Sequence, residues 1–194
     1  MKKRNKMSVV IKSENQLSRI NELKTKLADL DKYTQDLLHK RANEKSWSVL
    51  EVIKHMEIGH MAYRAKVNKV LSTPKKEKAP ADNIQSSSIP SFLIKRFPPK
   101  DKVIRFKMKT TTKFKPILNG KENPSKVIAS LKHTLDELEN WITNYKDGQI
   151  SLEKFNSAIG PLVRFNVPEA CEFILCHNER HMLQIENTLK KVSE

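Results

Sequence analysis

Apolar residues return at helical intervals in four separate stretches of the chain, with polar residues filling the positions between them. In the first, Leu17, Ile20, Leu23, Leu27, Leu30 and Leu37 form one stripe. Ser13 and Gln16 stand before it in the spacing of a capping box, which predicts a helix over 14–40. A second capping box, Ser48 with Glu51, opens a helix over 48–71. Trp47 and Val52 occupy the two positions of a hydrophobic staple, and Thr73-Pro74 closes the helix. A third stripe, from Val127 to Ile142, predicts a helix over 124–147 that starts at Pro124 and stops at Asp147-Gly148. The fourth helix, over 168–192, carries Phe173, Ile174, His177, His181, Ile185 and Leu189. Glu169 and Glu172 at its start and Lys190 and Lys191 at its end complement the helix dipole.

Four amphipathic helices of this length predict an all-α four-helix bundle over 14–194, one domain preceded by a basic tail, 1–13. The segment 72–123 is too long for a hairpin. It is expected as an irregular crossover that leaves the third helix parallel to the second, which permits an up-down-down-up topology. Within it, Ile104, Phe106 and Met108 alternate with Arg105, Lys107 and Lys109, a period of two that suggests a short extended piece. Prolines at 89–99 and 115–124 argue against further long helices there.

Composition supports this reading: 194 residues suffice for one core, and only four glycines suit helices better than sheets. No apolar run has the length of a membrane span, and the basic start Met1-Lys2-Lys3-Arg4 is followed only by Val9-Val10-Ile11. Cys171 and Cys176 lie five apart, about 140° around a helix, so they are poorly placed to pair. Free thiols of this kind point to a reducing compartment, and a cytoplasmic location is expected. The formal net charge of +15 is localised. Residues 1–13 hold five basic groups and no acidic one, residues 74–121 hold thirteen against three, and the rest balances. Any anion-binding role therefore belongs to the tail and the crossover.

Histidine supplies the strongest chemical signal. His177 and His181, four apart, project about 40° from one another on the core-facing stripe of the fourth helix. His55 lies on the second helix, on the face shared with Val52, Gly59 and Ala62. If these helices are neighbours, the three imidazoles converge in the arrangement of three protein ligands with an open position. A single histidine on an apolar face is also met as a hydrogen-bonded core residue, and spacing alone leaves both readings open. His39, His60 and His133 are read as solvent-facing or edge positions. Cys176 is read as a small buried hydrophobe, Glu51 as a cap or a base beside His55, and Gln184 as a partner that orients His181 or bonds across the bundle.

The stretches "SWSVLEVIKH" at 46–55 and "HNERHMLQI" at 177–185 resemble the two signatures of the DinB/YfiT-like superfamily. The approaches to the third helix, 110–142, and to the fourth, "IGPLVRFNVPEACEF", are similar to it as well. The resemblance implies an up-down-down-up four-helix bundle in which His55, His177 and His181 bind a divalent metal, with zinc or nickel expected. It further implies a metal-dependent enzyme that activates either a low-molecular-weight thiol, as in S-transferases using bacillithiol or mycothiol, or water, as in hydrolases. A homodimer is expected on the same ground. The basic crossover departs from the pattern, and its cations are expected to steer an anionic cosubstrate toward the site. The alternative is a non-enzymatic helical protein that binds nucleic acid or an acidic partner through tail and crossover, the less favoured partner because neither segment carries a recognition helix or an aromatic-interleaved stacking surface.

Overall fold

The computed structural model describes residues 8–73, 83–106, 108–146 and 150–194. The expected helix end at Asp147-Gly148, the stop at Pro74, Lys107 and most of the basic tail lie outside the described residues. The chain is mostly helical, with six α-helices among those residues: α1 (Ser13–Ala28), α2 (Gln35–His39), α3 (Val49–Ser72), α4 (Ser88–Arg96), α5 (Pro124–Lys146) and α6 (Val167–Ser193). The four long helices pack around one core, with α1 and α3 each lying against both α5 and α6. Ile20, Leu23 and Leu27 of α1, Leu131, Leu135 and Leu138 of α5, and Ile53 and Met56 of α3 are fully or almost fully buried at helical spacing, so burial of these stripes holds the helices together.

Polar contacts between the helices show how they are set against one another. Along α1 and α6 the partner numbers rise together: Arg19 meets Glu172 and Glu179, and Lys26 meets Glu186. Between α1 and α5 they run oppositely, with Gln16 on Tyr145 and Lys24 on Asp136 and Glu139. His60 on Glu137 and Asn68 on Trp141 rise together between α3 and α5.

The helix expected unbroken over 14–40 is in pieces. It ends at Ala28, a 3-10 turn follows at Asp29–Lys32, and α2 restarts behind Thr34. Thr34 takes an extended backbone and its hydroxyl accepts from the Leu37 N–H at 3.4 Å, so this residue caps a new helix where the periodicity had been read straight through. The break brings both Leu30 and Leu38 into the core. The expected capping box at Ser13 does not form either. The cap position is Lys12 without a side-chain bond, and Gln16 turns inward to donate to Glu172 at 3.0 Å. Ser48 with Glu51 and Asn166 with Glu169 both close complete boxes.

In the crossover, α4 forms despite Pro90, which sits in its first turn where a missing N–H costs no hydrogen bond. Ile104 and Phe106 are not in a strand. Val103 makes one isolated bridge to Lys100, and Met108 is exposed. The strands that do occur are two-residue pairs: β1 (Val10–Ile11) with β2 (Ile84–Gln85), and β3 (Phe155–Asn156) with β4 (Arg164–Phe165), both antiparallel. The first ties the segment before α1 to the crossover. The second is a hairpin whose loop stands over the α3/α6 face. None of the helices among the described residues is long and apolar enough to cross a membrane.

Candidate metal centre

Three imidazoles meet between α3 and α6. The capping box at Ser48 sets the start of α3 and places His55 two turns along it. The box at Asn166 does the same for α6, on which His177 and His181 follow one turn apart. One ligand nitrogen from each of His55, His177 and His181 lies within 4.8 Å of the others. The ring centroids are 4.4 to 5.1 Å apart, and the Nε2 atoms of His55 and His177 are separated by 3.3 Å. This close approach requires Gly59. A Cβ there would stand 3.0 Å from Cε1 of His177, tighter than nearly all side-chain contacts, so the glycine on α3 makes room for a ring on α6.

The outer nitrogens are committed to acceptors. Nδ1–H of His55 donates to the carbonyl of Phe114 at 2.7 Å, and Nδ1–H of His181 donates to Oε1 of Gln184 at 2.9 Å. A carbonyl can only accept, so in each neutral ring the lone pair is left on Nε2. Burial pushes all three imidazoles below their ordinary value, against the opposing pull of the Phe114 and Gln184 bonds at His55 and His181. Burial and the neighbouring His55 ring take His177 down to about 3. The Arg180 guanidinium adds to the effect at all three. At neutral pH the cluster therefore offers uncharged imidazoles with free lone pairs, the chemistry of a nitrogen-ligated divalent site. The hydrogen-bonded outer nitrogens are the arrangement that orients metal-binding histidines.

A cleft of about 220 Å³ opens over the cluster. Tyr63, Phe97, Phe173 and Ile174 form its apolar wall. Crossover residues 108–111 and 113–114 complete its lining together with Ala158, Ile159 and Gly160, and Nζ of Lys113 donates to the Ala158 carbonyl at 3.0 Å. Tyr63 shares a 2.6 Å hydrogen bond with the Ser157 hydroxyl, which holds the hairpin loop in place, and its phenol is pushed up to about 12 by burial.

The remaining candidates go elsewhere. His60, expected at an edge, is 1 % exposed. It stacks on Trp141 and donates from Nε2 to Glu137 at 2.7 Å, because the α3 face opposite His55 is covered by α5. His39 is half-buried and bonds to the Glu122 carbonyl, and His133 is exposed. Cys176 faces Arg19 and Glu172, and burial pushes its thiol up. Glu51 is occupied by its cap and by Arg41. Gln184 orients His181. Sequence reasoning missed Phe114 and Arg180. The first acts through its backbone carbonyl, which no side-chain pattern reveals. The second lies three residues after His177 on the same helix face, so the spacing that paired His177 with His181 also pointed to it.

Among curated proteins none matches the chain. Among solved structures, YfiT from Bacillus subtilis, described as a probable metal-dependent hydrolase with an unusual four-helix bundle topology, superposes with a TM-score of 0.59 at 13 % identity. The match covers 93 % of this chain and 87 % of that one. The likeness shows that the fold resembles the four-helix bundle of that protein. The model of the DinB superfamily matches residues 20–185. With this match over most of its length, the chain belongs to the DinB superfamily.

Proposed function

We propose that the protein is a metal-dependent enzyme acting on a small substrate, with one divalent ion, zinc or nickel, held by His55, His177 and His181. The observation that carries this reading is the convergence of three neutral imidazoles, two of them oriented through Nδ1, at the floor of an apolar cleft. A divalent ion bound there supplies Lewis-acid chemistry, drawing a water or a thiol toward its deprotonated, nucleophilic form. The chain's own part is to hold the ligand rings, to exclude bulk water with Phe97, Phe173 and Ile174, and to leave the side facing the cleft open. Hydrolysis is the first reading, supported by the description of YfiT. Thiol transfer is the second. It is favoured by the lack of any carboxylate among the described residues lining the cleft, since a thiol, far more acidic than water, gives its proton up to solvent without a side chain placed to take it.

The reading extends to the rest of the molecule. We take residues 14–194 as one bundle domain, running up-down-down-up, behind the basic tail 1–13. The order of the inter-helix contacts supports this topology. Two free, buried thiols support a cytoplasmic location, and a homodimer remains part of the proposal through the family.

The test is metal content by elemental analysis of untagged protein purified without chelator, beside a His177→Ala/His181→Ala variant. Near-stoichiometric zinc or nickel in the wild type and none in the variant is expected. Wild type that arrives without metal and takes up neither ion at neutral pH overturns the reading. Zinc-loaded protein assayed against simple esters and amides, with and without a low-molecular-weight thiol, then separates the two chemistries.

A further inference from the structure

Three cations line the cleft: Lys109, Lys113 and Arg180. The two lysines are exposed on the crossover. Arg180 differs from them in being half-buried beside the histidines, on the same face of α6. Its Nη1 donates to the Phe106 carbonyl, and its guanidinium lies 5.5 Å from the centre of the Phe97 ring. Among the described residues no carboxylate pairs with it, and the one carbonyl leaves most of its five N–H donors unused. Among the described residues the other guanidiniums packed between helices each have a carboxylate: Arg19 has Glu172 and Glu179, and Arg64 has Glu137. A half-buried, unpaired guanidinium is costly, and a divalent ion on the neighbouring imidazoles would add charge of the same sign. An anionic ligand in the cleft offsets both.

We propose that the cleft binds a small organic acid, its carboxylate on the Arg180 guanidinium and its apolar body against Phe97, Phe173 and Ile174. The planar fork of N–H donors matches the two oxygens of a carboxylate, and a volume of about 220 Å³ holds an aromatic ring or a short alkyl chain beside it. The reacting group of the acid then lies next to the three histidines. In this last respect the inference rests on the metal-enzyme reading, whereas carboxylate binding by Arg180 does not.

Calorimetric titration with 3-phenylpropionate and with its uncharged amide, 3-phenylpropionamide, tests this on wild type, Arg180→Gln and Arg180→Lys, each metal-free and zinc-loaded. The acid is expected to bind wild type about tenfold tighter than the amide or better, in the metal-free form as well, where direct coordination to zinc is removed as a cause. Arg180→Gln abolishes the preference while it still takes up zinc, at least as tightly as the wild type, and keeps the wild-type helical circular dichroism, and Arg180→Lys keeps part of the preference. Equal binding of acid and amide, binding of neither, or an unchanged preference in Arg180→Gln overturns the proposal. Wild type that prefers the acid yet takes up no zinc supports the carboxylate site and overturns the metal reading.

Discussion

Helix α3 carries two buried imidazoles five residues apart, His55 facing α6 and His60 facing α5. His60 is stacked on Trp141 with ring centroids 4.6 Å apart and planes 7° from parallel, and its Nε2–H is given to Glu137, which also accepts from Arg64 at 2.7 Å. Its ring is committed to a carboxylate and an aromatic face. His55 is buried as well, 6 % exposed, but it gives its proton outward to a backbone carbonyl and turns Nε2 toward two more imidazoles. Both are buried on one helix, so neither burial nor helix decides what an imidazole does. The difference lies in which nitrogen is spoken for and what the other meets: in His60 Nε2 is given to a carboxylate and buried Nδ1 meets no partner among the described residues, whereas in His55 Nδ1 is given to a carbonyl and Nε2 meets further imidazoles.

The comparison is broken most directly by removing ligands. His181→Ala is expected to cut zinc affinity by more than about a hundredfold, whereas His60→Ala leaves metal content unchanged; elemental analysis and competition with a chromophoric chelator read both. Acid sharpens it next. Four histidines, the buried His55, His60 and His181 and the half-buried His177, are held below their ordinary value in the folded chain. Below about pH 6.5 the unfolded chain takes up protons that the folded chain refuses, so stability of the metal-free protein falls with pH, by up to about 1.4 kcal/mol per unit for each histidine. The loss begins at the unfolded value and continues toward the folded ones, near 3 for His177. Urea melts between about pH 7 and pH 5 measure the slope, and a flat profile refutes it. His60→Ala should lower stability by about 2–4 kcal/mol through the lost stack and the buried gap, read by the urea midpoint at constant m-value. Gln184→Ala frees Nδ1 of His181 and is expected to weaken zinc binding about ten- to hundredfold with little change in stability. The smallest effect is that of Gly59→Ala. Its helix propensity gains about 1 kcal/mol, but the new methyl displaces the His177 ring, so zinc affinity should drop while the thermal midpoint of the metal-free protein holds or rises slightly.

Four helices could be read from the chain because their stripes are long and their starts are chemically marked. Ser48 with Glu51 closes a capping box as its spacing indicates. The same signal failed at Ser13 because Gln16 has a better use, a buried amide that bonds Glu172 and Tyr145 across the bundle. Periodicity ran through Thr34 without detecting a break, since Leu37 falls at helical spacing from Leu30, although Leu30 lies within the 3-10 turn and the restarted helix buries Leu38 instead. Trp47, read as a staple for α3, lies 4.9 Å from the His55 ring and so forms part of the site's surroundings.

Local periodicity by itself determined that His177 and His181 share a face, because 3.6 residues per turn dictates where a side chain four positions on must point. It determined equally that His55 and His60 point apart. Only the tertiary structure decided that the His55 face of α3 meets α6 and the His60 face meets α5, because helix pairing depends on the combined burial of all four stripes. The Phe114 carbonyl, the hairpin loop over the cleft and the setting of Arg180 beneath the Phe106 carbonyl belong to that same level. Each is a relation between segments far apart in the chain, set by packing rather than by any local spacing.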